Sequence, residues 1–330
     1  MQATGTTMAR YLPMFRAHQA ALLARGEVSG HPADVAATVE LALSRLEAEA
    51  PPAAGLLRLL AFLAPEPVPL GLLLAGEQGT ALLSPEVVAT VGPLQGDPVA
   101  AGDVITALRR YSLITPAGDG LVLVHRLVQA ITRTQIRMDT TDQWQQAAAA
   151  LIEAAIPGNT ELPATWPVCA VLMPHARAVL DMTSRSMTRI AQYLGYSGSY
   201  TAARDLSQQI TDALTGDDAH GPEHPDTLYS RYELAYWTGE AGDAVGARDQ
   251  FAALLPLRER VQGAEHPGAL VTRHELARWT GQAGDVAGAR DQFAALLPLR
   301  ERVQGLEHPG ALVTRANLAH WTESADRSGN

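Results

Sequence analysis

Apolar and polar positions along this chain follow helical spacing over most of its length. Tyr11, Leu12, Phe15, Leu22 and Leu23 predict a helix over residues 8–26, stopped at Gly26. Val35, Val39, Leu41, Leu43 and Leu46 predict a second over residues 33–50, ended by Pro51-Pro52. Three short apolar segments follow. Residues 56–63 are closed by Pro65-Glu66-Pro67; residues 70–75 and 101–110 come next, the last with Val104, Ile105 and Leu108 inward. The period then changes. Leu113-Ile114-Thr115, the turn residues Pro116-Ala117-Gly118-Asp119-Gly120 and residues 121–124 form a β-hairpin pattern. Helical spacing returns over residues 125–137, 143–156 and 166–180.

From Ser186 onward the chain repeats itself. His224-Pro225 recurs at His266-Pro267 and His308-Pro309, 42 residues apart each time (266 − 224 and 308 − 266). Gly242-Asp243 returns as Gly284-Asp285, and Ala247-Arg248-Asp249-Gln250-Phe251 as residues 289–293. A diverged first unit is offset by 44 (242 − 198), with a small insertion near residues 216–221. Such a period is the signature of a helical solenoid, whose units bury apolar faces by stacking on neighbours. Each unit reads as helix, turn, helix. The prolines at 225, 267 and 309 fall in a first turn, and Ser199, Asp243 and Asp285 at the N-cap of the second helix. Pro256 and Pro298 fall inside the second helix and predict a kink. Trp237, Trp279 and Trp321 recur at one position and predict packing between units. The last unit has one helix and a polar tail, leaving an apolar edge through which a second copy could associate.

Composition narrows the function. With 47% hydrophobic and 18% charged residues, the chain is a folded protein rather than a disordered one, and its net charge of −10 argues against broad nucleic-acid binding. There is no lysine, which excludes a P-loop and lysine Schiff-base chemistry. Cys169 is the only cysteine, and no secretory pattern opens the chain, so a cytoplasmic location is expected. The apolar run over residues 56–74 is broken by Arg58, Glu66 and prolines, so no membrane span is expected. Glu223-His224, Glu265-His266 and Glu307-His308 lie one repeat apart, which is wrong for one coordination sphere. No catalytic cluster stands out, so neither an enzyme nor a cofactor is expected.

His-Pro, Leu234-Ala235, Gly242-Asp243, Ala247 and Phe251, recurring one unit later, resemble tetratricopeptide repeats of the kinesin-light-chain type. Arg231, Arg273 and Arg315 depart from that pattern, where an apolar residue is usual. Residues 56–65, 107–114 and Val124-His125-Arg126-Leu127-Val128-Gln129 are similar to the winged-helix segment of bacterial NB-ARC-type STAND regulators. The resemblance implies a mainly α fold, a winged-helix module followed by an α-solenoid of tetratricopeptide repeats. Residues 1–50 would be the end of an NB-ARC helical domain, 51–138 the winged helix, 139–185 a helical connector and 186–330 the repeats. In that family the winged-helix histidine touches the phosphate of bound ADP. His125 matches it, but the P-loop domain is missing, so His125 would serve nucleotide only beside a nucleotide-binding domain supplied in trans. One imidazole contributes about one hydrogen bond, roughly 1–3 kcal/mol, far short of micromolar binding.

The repeat phase places Tyr229, Tyr232, Tyr236, His274, Arg278 and His320 on the concave face of the repeats. Tyrosine and arginine are enriched in binding hot spots. The expected function is therefore a non-catalytic sensor module of a STAND-type regulator, holding a peptide or protein in that groove. A separate NB-ARC ATPase is a further candidate partner. The alternatives are a DNA-binding winged-helix regulator, using Arg109 and Arg110 with Arg126, Arg133 and Arg137 nearby, and a subunit of a split nucleotide-dependent switch.

Overall fold

The protein is described by a computed structural model over residues 32–75, 84–118 and 120–328. The helix expected over residues 8–26 and the turn residue Asp119 lie outside the described residues. The fold is mainly α, in two compact units. The first comprises the described residues up to Pro157 together with Pro167–Leu180; the second comprises Gly158–Trp166 and the described residues from Asp181. Residues 139–185, expected as a connector, thus contribute one helix and most of another to the first unit.

In the first unit the helices are α1 (Pro32–Glu49), α2 (Pro51–Leu60), α3 (Leu70–Leu73), α4 (Pro85–Val91), α5 (Pro98–Arg110), α6 (Arg126–Gln135), α7 (Thr141–Ala155) and α8 (Trp166–Val179). Proline opens α2, α4 and α5, where the missing N–H has no helical partner to lose. Asp97 caps α5, accepting from the Val99 and Ala100 amides at 2.9 and 3.0 Å. Helix α2 is apolar nearly all round and forms the centre, with α1, α4, α5, α6 and α7 packed about it. Gly55 is required there: a Cβ would lie 2.6 Å from Thr90. Buried Gln129 donates to the carbonyls of Leu60 and Leu63 at 3.0 and 3.1 Å, satisfying the end of α2.

The hairpin is present but short. Thr115–Pro116 (β2) pairs antiparallel with Leu121–Leu123 (β3), Thr115 opposite Leu123. A strand not legible in the sequence, Val68–Pro69 (β1), completes the order β1-β3-β2. Its proline, after Pro65 and Pro67, reads as a loop, and an edge strand is where a sheet tolerates one. Helix α4 was equally illegible, and the expected helix over residues 70–75 is only the four-residue α3.

The second unit is the repeat array: α9 (Arg185–Tyr196) and α10 (Tyr200–Gly216), α11 (Pro225–Glu240) and α12 (Ala244–Gln262), α13 (Pro267–Gln282) and α14 (Val286–Gln304), then α15 (Pro309–Ser328). Each helix packs on the next in sequence. The first helices α11, α13 and α15 also approach one another, more closely than the second helices do, and the side they share is referred to below as the inner face. The prolines at 256 and 298 do not end their helices, which run on to Gln262 and Gln304. The expected polar tail continues α15 to Ser328.

Four recurring devices hold the array. His224, His266 and His308 are N-caps: each Nδ1 accepts from the amide two residues on, at 3.2, 3.1 and 3.0 Å, with proline between. Asp243 and Asp285 cap the second helices through the Gly246 and Gly288 amides, both at 2.8 Å; Ser199, expected to do the same, makes no side-chain cap bond. The tryptophans seat each unit on the preceding one. A Cβ on Gly195, Gly239 or Gly281 would fall 2.3–2.6 Å from the rings of Trp237, Trp279 and Trp321 respectively, so glycine is what lets the indole reach the neighbouring backbone. Last, Arg258 is buried and donates to the carbonyls of Leu228 (2.9 Å) on α11 and Gly268 (2.8 Å) on α13, and to Thr272 Oγ1 at 3.0 Å. Arg300 repeats this with Leu270 and Gly310. One guanidinium thus joins the first helices of successive units, which its planar fork of five donors allows.

Two of the three arginines that depart from the repeat pattern also have partners. Arg273 pairs with Glu259 and Arg315 with Glu301, both at 2.6 Å. These pairs are partly exposed and contribute little to stability.

Candidate functional site

The inner face of α11 carries Tyr229, Tyr232 and Tyr236, spaced three and four residues apart and therefore on one side of the helix. Their rings stack in near-parallel order, 6.5 Å and 15° between the first two, 6.4 Å and 14° between the next. Tyr229 is 44% exposed; Tyr232 and Tyr236 are half-buried. Gln192 of α9 donates to the Tyr229 hydroxyl at 2.7 Å. Burial, reinforced by the Glu233 charge, raises the Tyr229 pKa, and burial does the same for Tyr232 and Tyr236, so all three are neutral phenols.

Arg278 of α13 closes one end of this stack. Its guanidinium lies 5.6 Å from the Tyr236 ring and 4.5 Å from the Trp279 ring, and donates to Glu240 at 2.6 Å and Glu275 at 3.2 Å. Burial alone would lower its pKa; the Glu240 hydrogen bond and the Glu275 charge outweigh that and raise it. Beneath the stack the Arg258 guanidinium sits 5.3 Å from the Tyr232 ring. Two carboxylates lie among these groups, both buried. Glu233 accepts from Trp237 Nε1 at 3.1 Å, and burial raises the pKa of both Glu233 and Glu275. The result is an aromatic strip with a fixed cation and buried acids, suited to holding a chain that offers apolar and hydrogen-bonding groups.

Of the six residues expected on this face, the structure brings Tyr229, Tyr232, Tyr236 and Arg278 together. His274 is a correction. It is only 8% exposed, its Nδ1 lies 3.2 Å from Thr314 Oγ1, and its ring meets Phe293 edge-on at 5.0 Å. Burial, with the Arg300 and Arg278 charges, pushes its pKa down to about 4, so it is a neutral packing residue. It occupies the phase of Tyr232, which meets Phe251 in the same way at 5.4 Å. His320 is exposed and rests edge-on against Trp321 at 4.9 Å.

The sequence reading missed Glu233, Glu275, Arg258 and Arg300. A signal for the arginines was present: Phe251, Leu254 and Arg258 fall at i, i+3 and i+7, an arginine on an apolar stripe repeated one unit later.

His125, in the first unit, is the N-cap of α6; its Nδ1 accepts from the Leu127 amide at 3.2 Å, the same use the repeats make of their histidines. The arginines named for DNA are largely engaged. Arg110 donates to Glu49 at 2.6 Å and Arg137 to Asp139 at 2.5 Å, while Arg133 donates to the Ala61 carbonyl. Among the described residues no helix is long and apolar enough to cross a membrane.

No family model and no curated protein matches this chain. Among solved structures, it is similar to a Podosopora anserina protein whose description names kinesin light chain and nearly identical TPR-like repeats. Identity is 20% over 59% of this chain and 85% of that one, with a TM-score of 0.38; a variant form of the same protein gives 0.39. It is also similar to BtubC (BKLC) from P. vanneervenii, at 12% identity over 70% of this chain and 76% of that one, with a TM-score of 0.40.

Proposed function

We propose that this chain is a non-catalytic protein-interaction module whose inner repeat face takes a peptide or protein segment. The observation that carries this reading is the tyrosine stack of α11 ending on Arg278: four hot-spot side chains side by side, held by Gln192 and Glu240, with Tyr229 exposed and Tyr232 and Tyr236 resting half-buried on the core. Preorganised aromatic and arginine groups bind with little further loss of side-chain freedom.

The finer reading is that the module belongs to a STAND-type regulator, with residues 51–138 as its winged helix and the repeats of residues 186–330 as sensor. The resemblance around residues 124–129 supports it, as does the order of helices, hairpin and helix. The acidic net charge weighs against the DNA alternative. His125 would meet a nucleotide only at a partner ATPase, through Nε2, because Nδ1 is occupied by the cap.

The test is selection from a random peptide library on the full chain, followed by affinity measurement on Tyr229→Ala and Arg278→Ala. Each truncation should weaken the selected peptides by at least about tenfold, a loss of about 1.4 kcal/mol or more. Peptides that bind both variants as well as the parent would remove the inner face from the account, and ATP turnover by the chain would contradict the non-catalytic reading.

A further inference from the structure

The loop between α10 and α11 differs from its counterparts in composition as well as length. The loops before α13 and α15 carry one histidine each, the N-caps His266 and His308. The loop at 217–224 carries two, His220 and His224, and Asp226 follows in the first turn of α11 where the later units have Gly268 and Gly310. A ring nitrogen from each histidine and a carboxylate oxygen of Asp226 lie within 4.8 Å of one another, and all three residues are half-buried. The two imidazoles meet edge-on, 4.6 Å between centroids.

We propose that this cluster is a binding site for a first-row divalent metal ion of the zinc type, with His220, His224 and Asp226 as ligands. Imidazole and carboxylate together suit zinc, cobalt or nickel better than calcium or magnesium, which prefer all-oxygen sites. The surroundings fit as well. His220 Nδ1 is bonded to the Asp217 carboxylate, the arrangement in which a metal-ligating imidazole is oriented by an acid on its other nitrogen. His224 Nδ1 accepts the Asp226 amide at 3.2 Å. Coordination of His220 through Nε2 leaves its Asp217 contact intact; His224 Nδ1 lies 3.9 Å from Asp226 Oδ2, and binding through that atom would replace the cap. Tetrahedral coordination at about 2.0–2.2 Å puts donors roughly 3.3 Å apart, so modest side-chain rotation brings the three together. The competing cation is Arg185, 3.2 Å from Asp226 Oδ1; its side chain is 80% exposed and such a pair holds weakly. Three protein donors leave a position for water or for a donor from a bound partner. The ion would tie the enlarged loop to α11, the helix that carries the tyrosine stack.

Calorimetric titration of Zn2+ into the chelator-treated full chain tests this, with Co2+ absorption as a second readout. One equivalent should bind with micromolar or tighter Kd, and Co2+ should show the intense visible bands of a low-coordinate site. His220→Ala and Asp226→Asn should each weaken binding at least about tenfold, and Asp217→Asn should weaken it to a smaller degree. His266→Asn, at the matching cap one unit on, should bind as the parent does. His224→Asn keeps a capping acceptor, so its loss of binding would come from the ligand rather than the helix. No binding at micromolar Zn2+, or binding that His220→Ala and Asp226→Asn leave unchanged, overturns the proposal.

Discussion

Trp279→Ala should destabilise the repeat array by about 3–5 kcal/mol, read as a lowered denaturation midpoint of the second unit. The indole is 5% exposed and fills the space above Gly239 of the preceding unit, against a cluster of Ala235, Ala247 and Phe251. Its loss leaves a cavity between two units, and a stacked array depends on each such junction. A companion substitution gives the sign. Gly239→Ala places a methyl 2.3 Å from the Trp279 ring, which should cost the parent protein about 1–3 kcal/mol. On the Trp279→Ala background the ring is gone, and alanine is the better helix former by up to about 1 kcal/mol, so the same change should be neutral or stabilising. Additive costs in the double variant would mean that the indole and the glycine do not meet.

Arg258→Ala should be the second large loss, about 2–4 kcal/mol. The substitution removes a charged donor from the carbonyls of Leu228 and Gly268 and from Thr272, and opens a void against the Tyr232 ring. Burial works in the other direction: it lowers the Arg258 pKa, and the buried Nε has no hydrogen-bond partner among the described residues. Arg258→Met should therefore recover part of the loss by filling the void without a buried charge, while the bridge between α11 and α13 stays broken. Chemical denaturation of the two variants separates packing from bridging. An alanine cost under about 1 kcal/mol would show that the guanidinium is not a joint between units.

How much of this was legible depended on whether a residue's role is fixed by its own unit or by the next. The period, the helix–turn–helix unit, the Asp243 and Asp285 caps and the tryptophan position could be read directly, because each recurs and each follows from local chain physics. The burial of His274 could not. Its phase matches an inner-face position, but Thr314 from the following unit and Phe293 from its own close over it. Arg258 was hidden for a related reason: an arginine reads as exposed until its partner carbonyls, 30 residues back and 10 ahead, are known. In the first unit, β1 was concealed by the prolines at 65, 67 and 69 and α4 by its brevity. The His220, His224 and Asp226 cluster was concealed by the repeat itself, which drew attention to the histidines that recur and away from the one that does not.

The claim on which all of this rests is that the second unit is a stack of interchangeable units. Removing residues 244–285 deletes one full period and joins α11 to α14, so that Trp321 takes the place of Trp279 over Gly239 and Arg300 that of Arg258 at Leu228. Denaturation followed by circular dichroism is the direct measurement. The shortened chain should keep its helicity per residue and a cooperative, if less stable, transition, whereas a deletion of half that length should abolish it. Loss of the cooperative transition in the full-period deletion would contradict the stacked architecture.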